Sequence, residues 1–351
     1  MTEPAPETSA APAVKLPAGF EVLTADEDLA VEVYHALNDV EERLLAALSS
    51  TDELANTSAR YLAEAGGKRV RPLLTILTSM LGGGVSPQVL QAAAVMEMTH
   101  LATLYHDDVM DSAPVRRGAP SAHEVWGNSV AILAGDLILA RASQMMSELG
   151  EEGTRIQART FERLVMGQLH ETVGVQEGGD PKGHYLSVIA DKTGSLVASA
   201  SRLGAHYGGC SEEVTAMLEE YGEAVGVAFQ LADDVIDLTA DGAASGKTPG
   251  TDLREGVPTL PVLLLREQAA QEDADKSEAK RVLALVEGDL SSDEALAEAV
   301  AAVVAHPVME ESWQTARSWA ERAKAAIAGL PDSTLKTALN SFADAVVDRE
   351  G

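Results

Sequence analysis

Apolar residues recur at three- and four-residue intervals along almost the whole chain. The segment DEDLAVEVYHALNDVEERLLAALSS, residues 26–50, has this spacing with acids in its first turn, the mark of an amphipathic helix. Three glycines at 82–84 close one helix. Ser86 and Pro87 then open another, as N-cap and first helical residue, which runs through SPQVLQAAAVMEMTHLATLYHDD. The same pattern predicts helices over residues 121–149, 151–175, 195–207 and 211–239, and several more, acidic and alanine-rich, over 255–349. No stretch alternates with period two for long, and no unit repeats at a fixed length. The expectation is an all-α, single-domain helical bundle over residues 21–351, preceded by a disordered tail over 1–20 rich in Pro, Ala and Glu.

Composition sharpens this picture. Hydrophobic residues make up 46% of the chain but aromatics only 4%, so the core is built of Ala, Leu and Val, which suit close helix packing. Asp plus Glu number 55 against 26 Lys plus Arg, a net charge of −29, which repels nucleic acid and anionic membrane faces. A small anionic substrate stays possible where local cations overturn that field. The single cysteine, Cys210, cannot form an internal disulfide and fits a reducing compartment. The N-terminus lacks a basic-then-apolar leader, and no apolar run approaches the ~20 residues of a membrane span. The expectation is a cytoplasmic protein with no transmembrane segment and no nucleic-acid partner.

Candidate chemistry starts with LATLYHDDVMD, residues 101–111, where Asp107, Asp108 and Asp111 follow an apolar helical run. FQLADDVIDL, residues 229–238, repeats the arrangement with Asp233, Asp234 and Asp237. On a helix i and i+4 share a face, so Asp107 aligns with Asp111, and Asp233 with Asp237. Gln230 sits one turn earlier on the same stripe as Asp233 and Asp237. Like charges so placed repel, and at a helix C-terminus they also meet the unfavourable end of the dipole. A hard divalent cation such as Mg²⁺ reverses both penalties and bridges carboxylates to phosphates. Acid runs on solvated helix ends are common in so acidic a chain; two of identical spacing after apolar segments are not.

Basic residues cluster in GGKRVRP (Lys68, Arg69, Arg71) and PVRRGAP (Arg116, Arg117), with Lys192 in DKTGSL and Lys247 in SGKTPGTDL. Guanidinium forks suit phosphate oxygens. GAASGKT, residues 242–248, is not a P-loop: three residues separate its glycines instead of four, and it follows an acidic helix.

Taken together, GGKRVRP, EMTHLATLYHDDVMD, RRG, DKTGSL, FQLADDVID and GKTPGTDLREGVPTLP resemble the all-trans polyprenyl diphosphate synthase family, in order and from about residue 30 onward. The resemblance implies a bundle around a deep apolar cavity, with the two Asp-rich helix ends facing each other across its mouth. It implies a homodimer, and an enzyme joining isopentenyl diphosphate to an allylic diphosphate, farnesyl or geranylgeranyl. Asp107, Asp111, Asp233 and Asp237 would bind Mg²⁺, three ions per site, with Asp108 and Asp234 supporting them. Arg116 and Lys247 would contact the allylic diphosphate, and Lys192, Thr193 and Gln230 would line its side. Lys68, Arg71, His100 and Arg117 would hold isopentenyl diphosphate. His100 lies seven residues before Asp107, two turns back on nearly the same face.

Such a reaction ionises a carbon–oxygen bond. Positive charge stabilises the departing diphosphate, apolar walls keep water from the allylic cation, and no protein nucleophile is required. Cys210 is then a core residue. Ala102 and Thr103 lie about one turn below Asp107 and leave the shaft open, which favours a medium or long product, about C30 to C45 by resemblance, as for a quinone side chain. Met96, Leu133 or Leu137 could instead stop growth deeper, which leaves geranylgeranyl diphosphate open as the product. A non-catalytic partner subunit, a metal phosphohydrolase built on His106 and Asp107 with His123 or His170, and a terpene cyclase are the competing readings. Intact duplicate Asp motifs, the lack of a histidine pattern and the isopentenyl-binding cations weigh against each in turn.

Overall fold

The computed structural model describes residues 16–239, 249–271 and 276–348. Its helices are α1 (Glu27–Leu48), α2 (Glu53–Glu64), α3 (Val70–Ser79), α4 (Pro87–Met110), α5 (Ala122–Trp126), α6 (Asn128–Ser147), α7 (Glu151–Val173), α8 (Pro181–Ile189), α9 (Ser195–Tyr207), α10 (Glu212–Thr239), α11 (Thr251–Glu255), α12 (Leu260–Ala270), α13 (Lys276–Val286), α14 (Asp293–Val304), α15 (Val308–Ala326) and α16 (Thr334–Ala345). The starts follow the polar signals. Asp26 accepts the amide of Leu29 at 3.1 Å to cap α1, and Ser86 accepts that of Val89 at 3.2 Å to cap α4, with Pro87 in its first turn.

The predicted helix over 121–149 is two helices, broken at Gly127 (φ 82). Between α8 and α9 the chain stays helical but widens into a π-turn over Ala190–Gly194. One extra residue is accommodated there, a deviation common at functional sites. Val115–Arg116 and Ala119–Pro120 form a minute antiparallel hairpin whose turn residues, Arg117 (φ 55) and Gly118 (φ 77), are both left-handed, as a two-residue turn of the primed kind requires.

Helices α4, α9 and α10 form the centre. α4 buries Val95, Met98, Leu101 and Tyr105 on several faces. α9 and α10 approach closely because Gly222 and Gly226 present no side chain; a Cβ on Gly222 would stand 2.8 Å from the Cα of Ala198. One cluster of buried residues gathers round α10, α15 and α16, and a second lies between α2, α4, α6 and the inner face of α9. Residues 16–20, inside the stretch expected as tail, are packed. Phe20 is fully buried and stacks on Phe342, with ring centroids 4.5 Å apart.

Among the described residues one helix, the 20-residue α6, is long and apolar enough by composition to cross a membrane, although Asp136 and Arg141 interrupt its apolar run. Its Ala131, Ala134, Ile138 and Ala142 are buried in the second cluster beside α4. Cys210 is half-buried, its thiol facing the Thr78 carbonyl at 3.8 Å, and burial raises its pKa. The thiol is therefore held protonated and unreactive.

Candidate active site

Both Asp motifs occupy helix C-terminal turns: Asp107 and Asp108 end α4 with Asp111 as its C-cap, and Asp233, Asp234 and Asp237 lie in the last two turns of α10. Asp111, Asp233, Asp234 and Asp237 line one cleft of about 1330 Å³, together with Arg116, Lys192, Thr193 and Gln230. Its apolar wall includes Val188, Ile189 and Leu263.

The two motifs are built alike. In each, the middle aspartate turns inward and is held. Asp108 is completely buried and accepts from Arg116 Nε at 2.7 Å and Nη2 at 2.6 Å. Its second oxygen has no hydrogen-bond partner among the described residues. Asp234 is also buried and accepts from Gln230 Nε2 at 2.8 Å and from the hydroxyl of Tyr185. Thr193 in turn donates to Gln230 at 3.0 Å, so the π-turn is tied to the second motif. Of the outer aspartates, Asp111, Asp233 and Asp237 line the cleft, whereas Asp107 is half-buried behind that lining. Asp237 also receives the backbone amide of Asp252 at 3.2 Å, which ties the start of α11 to α10.

The electrostatics match this crowding. Burial, and then the charge of Asp111, pushes Asp107 up to about 6 against the pull of Lys192 and Arg116. Burial raises Asp111 as well. Burial pushes Asp234 up to about 6 in spite of its two hydrogen bonds. Asp252 rises to about 7, through burial and then its neighbours Asp237 and Asp234. Lys192 Nζ meets Glu171 Oε2 at 2.5 Å, and Glu171, on α7, also lines the cleft.

A consequence for stability follows. Carboxyls whose folded pKa lies above the unfolded value of ~3.9 hold their protons more tightly when folded. Their contribution to stability is therefore full below pH ~4 and is lost as pH rises through about 6 and 7 for Asp107, Asp234 and Asp252. Thermal unfolding without divalent ions should show a higher midpoint at pH 5.5 than at pH 7.5; the reverse order would contradict this charge arrangement.

Among the described residues, no three carboxylate, imidazole or thiol groups converge tightly enough to bind a cation alone. What exists is an open, all-oxygen donor set on two helix ends, with the carboxylates pushed toward their protonated forms. Such a set fits a hard divalent ion whose remaining ligands are water and phosphate oxygens.

The second predicted group lies apart from this cleft lining. Arg71 and His100 are half-buried, at the start of α3 and on α4. Arg71 Nε is buried without a hydrogen-bond partner among the described residues, and burial lowers this guanidinium to about 10. Burial, and then the charges of Arg71 and Arg117, push His100 well below its ordinary range, so its ring is neutral at neutral pH. Arg117 donates to the carbonyls of Leu62, at 2.8 Å, and Gly66. Lys68 is exposed and borders a smaller hollow of about 340 Å³ with Phe229. Lys247 lies outside the described residues.

Ala102 is fully buried and packs in the cluster with Ala131 and Ala134. Thr103 is half-buried, its hydroxyl on the His100 carbonyl at 2.8 Å. Neither lines the cleft. His106 faces α6 instead, 3.2 Å from the Ile132 carbonyl and 3.3 Å from Asp136, with Gly135 leaving room for its ring.

Sequence reasoning missed Tyr185, Glu171, Glu97 and Asp252. Glu97 had a signal, a lone charge in the apolar run AAAVMEMTHLA. Asp252 stood unremarked inside a quoted motif. Tyr185 and Glu171 had no spacing relation to either Asp cluster.

A family model described as "Polyprenyl synthetase" matches residues 52–303. The chain belongs to the polyprenyl synthetase family. It is 44% identical over 331 residues to the nonaprenyl diphosphate synthase of Mycobacterium tuberculosis, covering 93% of this chain and 96% of that one. Among solved structures, geranylgeranyl pyrophosphate synthase from Corynebacterium glutamicum, complexed with calcium and isoprenyl diphosphate, aligns with a TM-score of 0.80 at 41% identity, over 92% of this chain and 97% of that one. A decaprenyl diphosphate synthase from Rhodobacter capsulatus aligns with a TM-score of 0.80 at 34% identity, over 92% and 99% of the two chains. This polyprenyl synthetase is accordingly an all-α prenyltransferase of isoprenoid synthesis.

Proposed function

We propose that the chain is a Mg²⁺-dependent enzyme that condenses isopentenyl diphosphate with an allylic diphosphate, head to tail and trans, to a medium- or long-chain polyprenyl diphosphate. The observation that carries this reading is that both Asp motifs open on one cleft, each with its middle aspartate anchored inward. The calcium and isoprenyl diphosphate in the Corynebacterium structure, and the nonaprenyl and decaprenyl relatives, support it.

In this reading Asp107, Asp111, Asp233 and Asp237 hold the metal, which supplies Lewis-acid stabilisation to the departing diphosphate when bound. Arg116, Lys192 and Thr193 orient that diphosphate, and Lys247 joins them. Lys192 leaves Glu171 for the phosphate oxygens as the site fills. Arg71, Arg117, Lys68 and the neutral His100 place the second diphosphate so that its double bond faces the allylic carbon. Carbon–carbon bond formation leaves a cation on the isopentenyl unit; one proton departs to the released diphosphate and the new double bond forms. Val188, Ile189 and Leu263 keep water away. The apolar, exposed side chains of Leu133, Val165, Met166 and Leu169 on α6 and α7 support a homodimer. The cytoplasm remains the compartment of choice, and the functional domain takes in residues 16–20 besides 21–351, because Phe20 belongs to its core.

The test is the purified chain alone with isopentenyl diphosphate, farnesyl or geranylgeranyl diphosphate, and Mg²⁺, with the products separated by chromatography. Products in the C30 to C45 range are expected. Failure to extend any primer would favour the partner-subunit reading, and phosphate release without elongation the phosphohydrolase. Thr103 shares a stripe with Asp107, whereas Ala102 is packed between α4 and α6 with Ala131 and Ala134. Thr103→Phe should shorten the product, whereas Ala102→Phe should overpack the helix contact and cost about 1–3 kcal/mol of stability. An unchanged product ladder from Thr103→Phe would remove it from the chain-length wall.

A further inference from the structure

The cations assigned to the second diphosphate are organised by a carboxylate. Glu97 is 2% exposed, on α4 one turn before His100. Its Oε1 lies 2.8 Å from Arg69 Nη1 and 3.8 Å from Arg117 Nη2. Arg69 is further clamped by Glu41, which accepts from its Nε and Nη2 at 2.8 Å each, and Arg69 Nη2 also donates to the Ala63 carbonyl at 2.9 Å. Among the described residues three non-glycines have left-handed backbone, and two of them are Arg69 (φ 51) and Arg117 (φ 55). Such a conformation is costly for a residue with a Cβ and persists only where surrounding contacts over-determine it. Glu97 is the side chain common to both.

The loop that carries Lys68 and leads into Arg71 is therefore pinned at Arg69. The hairpin that carries Arg117 is held at its turn by the Leu62 and Gly66 carbonyls, and Glu97 Oε1, bonded to Arg69, faces the Arg117 guanidinium at 3.8 Å, so one buried carboxylate serves both. Gly67 belongs to the same arrangement, since a Cβ there would meet the Arg117 guanidinium at 3.0 Å. Arg69 itself is fully engaged by protein acceptors and is a pin, not a ligand.

We infer that Glu97 is a positioning residue for the second diphosphate subsite, fixing the Arg69 loop and the Arg117 turn so that Arg71, Arg117 and His100 present one binding surface. The inference rests on the proposed function. It makes a prediction opposite in sign to simple electrostatics. Removing a negative charge beside an anion site should tighten anion binding; removing a pin should weaken it.

The deciding measurement is steady-state kinetics of Glu97→Gln, with each substrate varied in turn, alongside circular dichroism and thermal unfolding. KM for isopentenyl diphosphate should rise about tenfold, while kcat and KM for farnesyl diphosphate stay within about twofold. A purely structural role would move the unfolding midpoint without singling out one KM. A folded Glu97→Gln protein whose KM for isopentenyl diphosphate is unchanged or lower overturns the inference. Should that variant not fold, Glu97→Asp decides. It keeps the charge but draws it back by one methylene, and is expected to raise the same KM about threefold; no rise overturns the inference. Elongation by the wild type with no effect in either variant sinks this inference alone. Absence of elongation by the wild type sinks the proposed function and this inference with it.

Discussion

Replacing Asp107 by Asn should reduce kcat/KM by on the order of 10³-fold, ~4 kcal/mol of transition-state stabilisation, while making the metal-free protein more stable at pH 7.5. The two effects share one cause. Asp107 is half-buried beside Asp111 and within the field of Glu171, and its carboxyl is pushed up to about 6 because burial and those charges disfavour ionisation. At pH 7.5 the folded chain carries that charge at a cost. The amide has nearly the same shape and no charge, so the apo fold should gain about 1–2 kcal/mol after allowance for solvent screening. Under the proposed function the same charge serves a phosphate-bridging cation, so the stabilised variant should lose the reaction. Thermal unfolding in a chelator and single-substrate kinetics at saturating Mg²⁺ measure the two halves. Activity within tenfold of wild type would remove Asp107 from the metal ligands, and an unfolding midpoint below wild type would refute the charge-crowding account.

Gly204→Ala should have the largest effect on folding, a loss of about 3 kcal/mol or more. Gly204 faces α3, and a Cβ there would overlap the Thr75 carbonyl and the Thr78 hydroxyl. The Thr75 oxygen belongs to helix backbone, and Thr75 also donates its hydroxyl to the Ala200 carbonyl at 3.1 Å, so this crossing cannot open without breaking that link. Many core substitutions are absorbed by side chains that turn aside; backbone cannot do so. Urea unfolding followed by far-UV circular dichroism should give a markedly lower midpoint with little change in slope. A midpoint equal to wild type would mean that α3 and α9 slide apart freely.

The helices were legible because their apolar spacing and capping residues are local facts, as at Asp26, Ser86 and Pro87. The Asp motifs were legible because identical spacing at the ends of two apolar runs is a pattern that chance rarely writes twice. What stayed hidden depends on partners far away in the chain. Tyr185 matters because its hydroxyl reaches Asp234. Glu97 and Arg69 are 28 positions apart and meet only when α4 crosses the start of α3. The break at Gly127 was missed because helical periodicity tolerates one glycine without losing its stripe, whereas α8 and the wide turn after it fall at residues 181–194, between predicted helices, where the apolar spacing pointed to no element. The chain-length reading of Ala102 came from its position relative to Asp107, and position along a helix does not say which neighbour fills the space beside it.

That wide turn also acts as a phase shifter. With one residue more than a regular coil, it sets α9 about 100° round from where an unbroken continuation of α8 would leave it. The bare flank at Gly204 meets α3 only at that angle. The placement of Lys192 and Thr193 at the cleft, and the closeness of two core helices ten residues later, are thus settled by a single inserted amino acid, so any graft or trimming of this segment has to preserve its count.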